Sequence, residues 1–534
     1  MSKKQLDCLL IGPYEMSLTK REKLIKTYGT DSIAYRDLNL RMLHYNNKPY
    51  SFFDLLEMAS EPLDDNTFGP FNTAAILSGA ILYLGSFLDK YKLTFDYIKS
   101  FEFQREELAR KLKEHDILTV VITTTTYLNP FPIKEIISFI RKYNKETKII
   151  VGGPFVWTQI NIQKKEMVDS MFKSIDADFY VHSAEGEAAL VNIINGLKEN
   201  ENLNNVNNLY FKEDGHYVQT SNKLENNKLE ENAVNWQLFY DDLQPHAWVR
   251  TSKSCAFQCS FCDSHIRLGK YQSISVDSVE KELNAIKKTG KIKTIRFIDD
   301  TFNIPKKRFK EILKMMIRNK YNFKWNSFFR CQYAEREIIE LMVESGCEAV
   351  HLGIESADPK ILINMNKQST IEEYEKGLQL LNEYKIISFA SFIIGFPGET
   401  EKTVNETISF IENSKPTFYL LWPWFCIPST PIWGEKEKYN LTKTGFDWHH
   451  STMSASQAMD YMENIILQVN NSVYCPFFAE YIGILLSKFT IGQIVNFSKA
   501  FNENIKKKIM HLEQKDVDDK IFDLFRVSLV EGLN

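Results

Sequence analysis

The chain has 534 residues, of which 44% are hydrophobic and 25% charged, and its formal net charge is -4. These values describe a globular protein of roughly three domains at ~100 to 200 residues each, and the slightly acidic balance excludes general nucleic-acid binding. No stretch approaches the ~18 apolar residues of a membrane span or the ~7 to 15 of a signal-peptide core, so the expected location is the cytoplasm.

Residues 1–211 alternate short apolar runs with helical patterns. DCLLIG, LTFDYI, ILTVVITT, TKIIVGG and ADFYVH read as strands, and AAILSGAILYLGSFLDKY, EELARKLKEH, PIKEIISFIRKY and GEAALVNIINGL as the helices between them. Strands without polar alternation, separated by helices, predict a parallel sheet covered on both faces, a doubly wound α/β domain of flavodoxin-like type. Residues 13–70, rich in Tyr, Asn and Asp, read as an insertion in it, and the polar residues 212–245 as an exposed linker. Residues 246–435 then supply six further strands, AWVRTSKS, TIRFID, WNSFFRC, AVHLGIES, ISFASFIIG and FYLLWPWF, with helices between. Six such units predict a partial (β/α)6 barrel with function gathered at the C-terminal strand ends. Residues 436–534 read as a helical C-terminal domain.

Eight cysteines are too few for a disulfide scaffold, which leaves clustered thiols for metal or catalytic use. Three of them, Cys255, Cys259 and Cys262, fall in TSKSCAFQCSFCDSHIR, just past the first barrel strand. With His265 they could close a compact Cys3His zinc site. Alternatively they hold three irons of an iron–sulfur cluster and leave the fourth iron open. This C-x3-C-x2-C spacing, with Phe261 before the last cysteine, resembles the radical S-adenosylmethionine superfamily. The resemblance implies a [4Fe-4S] cluster whose open iron chelates S-adenosylmethionine and splits it to a 5'-deoxyadenosyl radical. It also implies cofactor-binding roles at later strand ends: Asp299 and Asp300 in FIDDTFN, Arg330 after the third strand, Glu355 and Ser356 in GIES, and Gly395 in GFPGET.

In the N-terminal domain, Thr123, Thr124 and Thr125 end one strand, Gly152 and Gly153 the next, and Glu185 and Gly186 open the helix after a third. Doubly wound domains bind ligands at such ends. Placed before the barrel, they resemble the cobalamin-binding domain of the B12-dependent branch of the superfamily, in the subgroup of the phosphinothricin-pathway P-methyltransferases and the tryptophan 2-methyltransferase. The D-x-H-x-x-G histidine of other cobalamin domains is missing from CLLIGPYEMSLTK. The resemblance implies methyl transfer from S-adenosylmethionine via methylcobalamin to an unactivated carbon or phosphinate phosphorus of a small molecule or peptide, with flavodoxin or ferredoxin as one-electron reductant. His449 and His450, the adjacent pair in DWHHSTM, are candidate catalytic residues, and Trp422, Trp424 and Trp433 candidate walls of the barrel mouth. Two rival readings stand beside this one, a non-methylating radical rearrangement or cyclisation and a metal-stapled binding protein without catalysis.

Overall fold

In the computed structural model, which describes residues 3–60, 76–225, 227–477, 479–510 and 516–531, the chain divides into two units. One comprises Met1–Met16, Asn72–Gln244 and Lys281–Lys291, and the other Ser17–Phe71, Pro245–Glu280 and Ile292–Asn534.

The apolar runs of the first unit become the strands β1 (Lys4–Ile11), β2 (Phe95–Ile98), β3 (His115–Thr123), β4 (Lys148–Gly152) and β5 (Phe179–Val181), followed by β6 (Leu209–Glu213) and β7 (His216–Gln219). They form one sheet in the order β2-β1-β3-β4-β5-β6-β7. The first five are parallel, in the doubly wound order that places ligands beyond the carboxyl strand ends. Helix Phe131–Tyr143 buries Ile133, Ile136, Ile137 and Ile140, the i, i+3, i+4, i+7 stripe of a helix lying on such a sheet. The expected linker differs from the structure at its start. Lys212–Gln219 belongs to an antiparallel hairpin, turned by Asp214 and Gly215, both at positive φ, the conformation that Asp-Gly accepts most readily.

The second unit holds β8 (His246–Val249), β9 (Thr294–Phe297), β10 (Lys324–Phe328), β11 (Cys347–Glu355), β12 (Ile387–Ile394) and β13 (Phe418–Pro423). All run parallel and in sequential order, as a partial barrel requires, and a seventh strand, β14 (Val473–Tyr474), extends the edge. Ring contacts fix which face is which. Trp325 packs on Phe309 of helix Lys306–Arg318, Phe297 packs on Trp325 and on Phe302, which itself touches Phe309, and Phe392 packs on Phe410 of helix Glu401–Ser414, so Phe297, Trp325 and Phe392 face outward. Strand alternation then turns Arg296, Asn326, Phe328, His351, Phe389 and Phe418 into the lumen. There His351 stacks on Phe389 at 5.1 Å, and Phe389 on Phe418 at 4.9 Å.

The C-terminal region is mostly helical, in Ala455–Gln468, Ile491–Ile509 and Asp519–Glu531, but it also supplies β14. The described part of the expected insertion, from Ser17 on, folds with the barrel unit and not with the sheet of the first unit; its remainder from 61 to 70 lies outside the described residues. The reason is non-local. Strand Met42–Tyr45 pairs with Asp516–Val517 near the far end of the chain, and Phe52 packs against Phe477, Phe497 and Phe501. Among the described residues, no helix is long and apolar enough to cross a membrane.

Candidate active site

The cysteine loop begins two residues beyond a fixed point. Asp299, 1% exposed after β9, accepts hydrogen bonds from the backbone N–H of Thr251 (2.6 Å) and Ser252 (2.9 Å) and from the Thr251 hydroxyl. Its carboxylate therefore holds the exit of β8, where a direct role at the cofactor was expected. The chain then crosses a short antiparallel pair, Ser252–Lys253 with Gln272–Ser273, which closes the loop bearing the thiols.

Inside the loop Cys262 N–H donates to Cys259 O at 3.1 Å, and Ser264 N–H points at Cys262 Sγ at 3.4 Å. Cys255 Sγ lies 3.3 Å from the hydroxyl of Thr301, and Cys259 Sγ lies 3.6 Å from Arg330 Nη2. Burial pushes the Cys262 thiol up to about 12, and it raises Cys259 too, where Lys367 and Arg330 oppose it with positive charge. Among the described residues no three His, Cys, Asp or Glu side chains converge on a single ion. His265 lies on the short helix Ser264–Arg267. A multi-iron cluster needs its thiolates further apart than the ~2.3 Å bonds of one zinc allow.

Arg330 is the residue best placed to receive an anion. Its guanidinium stacks on Phe257 at 3.4 Å, and Nη2 donates to Lys367 O at 2.9 Å, but Nη1 is buried with no hydrogen-bond partner. An orphaned buried donor is costly unless a ligand satisfies it. The donor set of three thiols, two cations and this free N–H fits a thiolate-bound cluster with an anionic ligand beside it.

Other strand ends converge on the same unit. Glu355, at positive φ (68°) at the end of β11, pairs with Lys367 Nζ at 3.1 Å. A Cβ on Gly353 would collide with that carboxylate, so glycine there leaves room for the pair. Lys367 Nζ also lies 5.7 Å from the centre of the Phe261 ring. Lys367, in a loop between two helices, carries no sequence pattern that would have singled it out. Ser356 is fully buried and accepts from Asp358 N–H, so it shapes a turn; Asp300 is exposed and accepts from Ser264 Oγ at 2.6 Å.

Gly395, after β12, takes φ +94°, and its peptide is clamped from both sides. Its N–H donates to the buried Glu399, and its carbonyl oxygen lies 3.1 Å from His450 Nε2. His450 stacks flat on Trp448 at 5.1 Å, its Nδ1 lies 3.1 Å from Thr452 Oγ1, and burial lowers its pKa to about 4. Held neutral and with both ring nitrogens engaged, it positions the Gly395 turn. His449 is exposed, beside Thr442. Trp424 is buried, with its carbonyl accepting from Trp448 Nε1, whereas Trp422 is half-buried on the lumen face; Trp433 lies in the short turn Pro431–Glu435.

In the first unit the strand ends are tied by short side chains. Thr124 donates from both N–H and Oγ1 to Gly152 O at 2.9 Å, Thr123 is half-buried and Thr125 is exposed. Gly153 has φ +112°, and a Cβ there would lie 2.9 Å from Thr124 Oγ1. Ser183 Oγ accepts from the N–H of Glu185 and of Gly186. The result is a row of strand ends built from glycines and short side chains, which lets a flat or extended group approach the backbone. After β1 stands Tyr14, whose hydroxyl donates to Glu135 at 2.7 Å. The histidine at a strand end in this unit is His182 instead, held between Asn161 (2.9 Å) and Asn222 (3.1 Å).

A model of the radical SAM superfamily matches residues 249–411. An uncharacterized methyltransferase of Pyrococcus horikoshii is 28% identical over 358 residues, covering 65% of this chain and 75% of that protein. Two solved structures share the fold. OxsB, a cobalamin-dependent S-adenosylmethionine radical enzyme with aqua-cobalamin and S-adenosylmethionine bound, aligns at TM-score 0.60 and 15% identity over 85% of this chain and 75% of its own. The radical S-adenosylmethionine methyltransferase TsrM of Kitasatospora setae, with tryptophan and a S-adenosylmethionine analogue bound, aligns at 0.56 and 17% over 68% and 73%. Residues 249–411 are thus a radical S-adenosylmethionine domain, a type of domain that works with a [4Fe-4S] cluster and S-adenosylmethionine, and the chain is an enzyme.

Proposed function

We propose that this enzyme is a cobalamin-dependent methyltransferase that moves a methyl group from S-adenosylmethionine to an unactivated carbon or phosphorus of a small molecule or peptide. The observation that carries the reading is the pairing in one chain of a three-thiol loop with a 2-1-3-4-5 parallel sheet whose strand ends carry glycines and short side chains. When bound, the cluster would supply the electron that cleaves S-adenosylmethionine, and cobalamin would carry the methyl group.

The chain's own residues do the positioning. Cys255, Cys259 and Cys262 would hold the cluster, and Asp299 fixes the strand exit from which they project. Arg330 and Lys367 place positive charge beside Cys259, which favours a thiolate-bound, net negative group in a buried setting. Arg330 Nη1, Asp300 and the Glu355–Lys367 pair would orient S-adenosylmethionine, with the Gly395 turn as a backbone edge for its adenine. Thr123 to Thr125, Gly152, Gly153, Glu185 and Gly186 would line the cobalamin cradle. The loop after β1 offers no histidine as a cobalt ligand; its Tyr14 donates to Glu135. Eight unpaired cysteines suit a reducing compartment, the cytoplasm, where flavodoxin or ferredoxin would deliver electrons.

The test is anaerobic turnover of the reconstituted enzyme with methyl-deuterated S-adenosylmethionine and cobalamin. S-adenosylhomocysteine and 5'-deoxyadenosine should both form, with a product heavier by one labelled methyl group. 5'-Deoxyadenosine with no methyl gain in the product would replace this reading by a radical rearrangement.

A further inference from the structure

We propose that the barrel lumen binds a substrate made of an oxyanion, a carboxylate or a phosphinate, joined to an apolar or aromatic body, with Arg296 anchoring the oxyanion and Phe328 carrying the body. The word substrate rests on the methyltransferase reading above; the binding itself does not.

Arg296 points from β9 into the lumen and is 2% exposed. Its Nη1 donates to Asn326 Oδ1 at 2.9 Å and to His351 Nε2 at 2.8 Å. Both partners are neutral, since burial and the adjacent guanidinium hold His351 well below the ordinary histidine range. Among the described residues the nearest carboxylate, Glu480, stands 4.0 Å from Nη2 and has a side chain that is 47% exposed. That is the outer limit of an ion pair, whereas exposed pairs elsewhere in this unit, such as Arg336 with Glu383, close to 2.7 Å. A buried cation without a close counter-charge is expensive, and burial lowers Arg296 to about 10. Its electrostatic need is for an anion that the described residues do not fully supply.

The space beside it is open. The Phe328 ring lies 5.0 Å from the guanidinium on the same lumen face, yet it is 37% exposed, although a core phenyl would be covered. Trp248, next to Arg296 in the sheet, is half-buried with its indole N–H unpartnered. Ser391, Ile393 and Trp422, lumen-facing on β12 and β13, are also only half-buried. Below this level the lumen is closed: Phe477 packs on Phe389 and Phe418, and Gly483 lies so near His246 and Asn326 that a Cβ would come within 3.2 Å of each. Arg41, whose guanidinium lies 4.5 Å from the Trp422 ring, is already paired with Asp37 at 3.1 Å, so an apolar-walled chamber over the loosely paired Arg296 guanidinium selects amphipathic monoanions.

Fluorine NMR on the apo chain tests this with 4-fluorophenylacetate, (4-fluorophenyl)phosphinate and the neutral 4-fluorophenylacetamide. At least one anion should bind, ~10-fold or more above the amide, and whichever binds identifies the oxyanion. Arg296→Gln should abolish that preference, Arg296→Lys should keep part of it, and Phe328→Ala should weaken acids and amide alike. Glu480→Gln removes the resident competitor and should tighten anion binding. Equal binding of acid and amide by the wild type, undiminished anion binding by Arg296→Gln, or weaker anion binding by Glu480→Gln would each overturn the proposal. If Arg296→Gln does not fold, the wild-type comparison and Glu480→Gln still decide. No cofactor or turnover enters the readout, so a failure here leaves the methyltransferase reading standing.

Discussion

Glu399 gives the sharpest prediction about how the Gly395 turn is held. Its carboxyl is fully buried; one oxygen accepts the Gly395 N–H and the other has no hydrogen-bond partner. Desolvation raises its pKa from the ordinary 4.5 to about 8. Below pH 4.5 both folded and unfolded chains hold the proton, and this group adds no pH dependence. Between 4.5 and about 8 the folded chain keeps a proton that the unfolded chain has released, so stability falls as pH rises, and the loss is complete above 8. At about 1.4 kcal/mol per pH unit the full effect is at most about 5 kcal/mol. Glu399→Gln mimics the protonated carboxyl and never ionises. The difference between variant and wild type isolates this carboxyl from other titrating groups: His450, on the other side of the turn, changes charge near 4, and Asp358 contributes a nearby negative charge in both proteins. Urea unfolding followed by near-ultraviolet circular dichroism should give similar midpoints at pH 5 and a variant more stable than wild type at pH 9. Parallel profiles across that range would refute a protonated Glu399.

Three further outcomes follow from packing and capping. Gly395→Ala would set a Cβ 2.5 Å from Trp448 Cη2 at a φ of +94°, and should lower stability by about 2 kcal/mol or more in the same urea assay. Phe477→Ala removes the ring under Phe389 and Phe418 and should cost about 3 to 5 kcal/mol, measured as a lower unfolding midpoint. Glu225 accepts the N–H groups of Ala188 and Ala189 at the start of helix Glu187–Glu199; Glu225→Ala should cost about 1 kcal/mol and speed hydrogen exchange at those two amides.

Much of this was legible because the chemistry sits at strand ends. Continuous apolar runs such as ILTVVITT and ISFASFIIG marked β3 and β12, and the cysteine spacing marked its loop. What stayed hidden depends on distant partners. Lys367 matters only because the chain brings it to Glu355 and Arg330, and Arg296 looks in sequence like one polar residue in TIRFID. Residues 42–45 pair with 516–517, a relation no local pattern records. The hairpin over Leu209–Gln219 carried its Asp-Gly turn signal, but its polar composition favoured a linker reading. Asp299 and His450 show the converse: one was conspicuous as a candidate cofactor-binding residue and the other as a candidate catalytic residue, and their hydrogen bonds hold backbone.

The central claim is that three thiols hold a cluster with one iron open to S-adenosylmethionine. Electron paramagnetic resonance of the anaerobically reconstituted, dithionite-reduced protein tests it directly, with and without S-adenosylmethionine. A reduced [4Fe-4S] signal should appear, shift when S-adenosylmethionine is added, and be lost in Cys259→Ala. A signal indifferent to S-adenosylmethionine, or a protein that takes up one zinc and no iron, would contradict it.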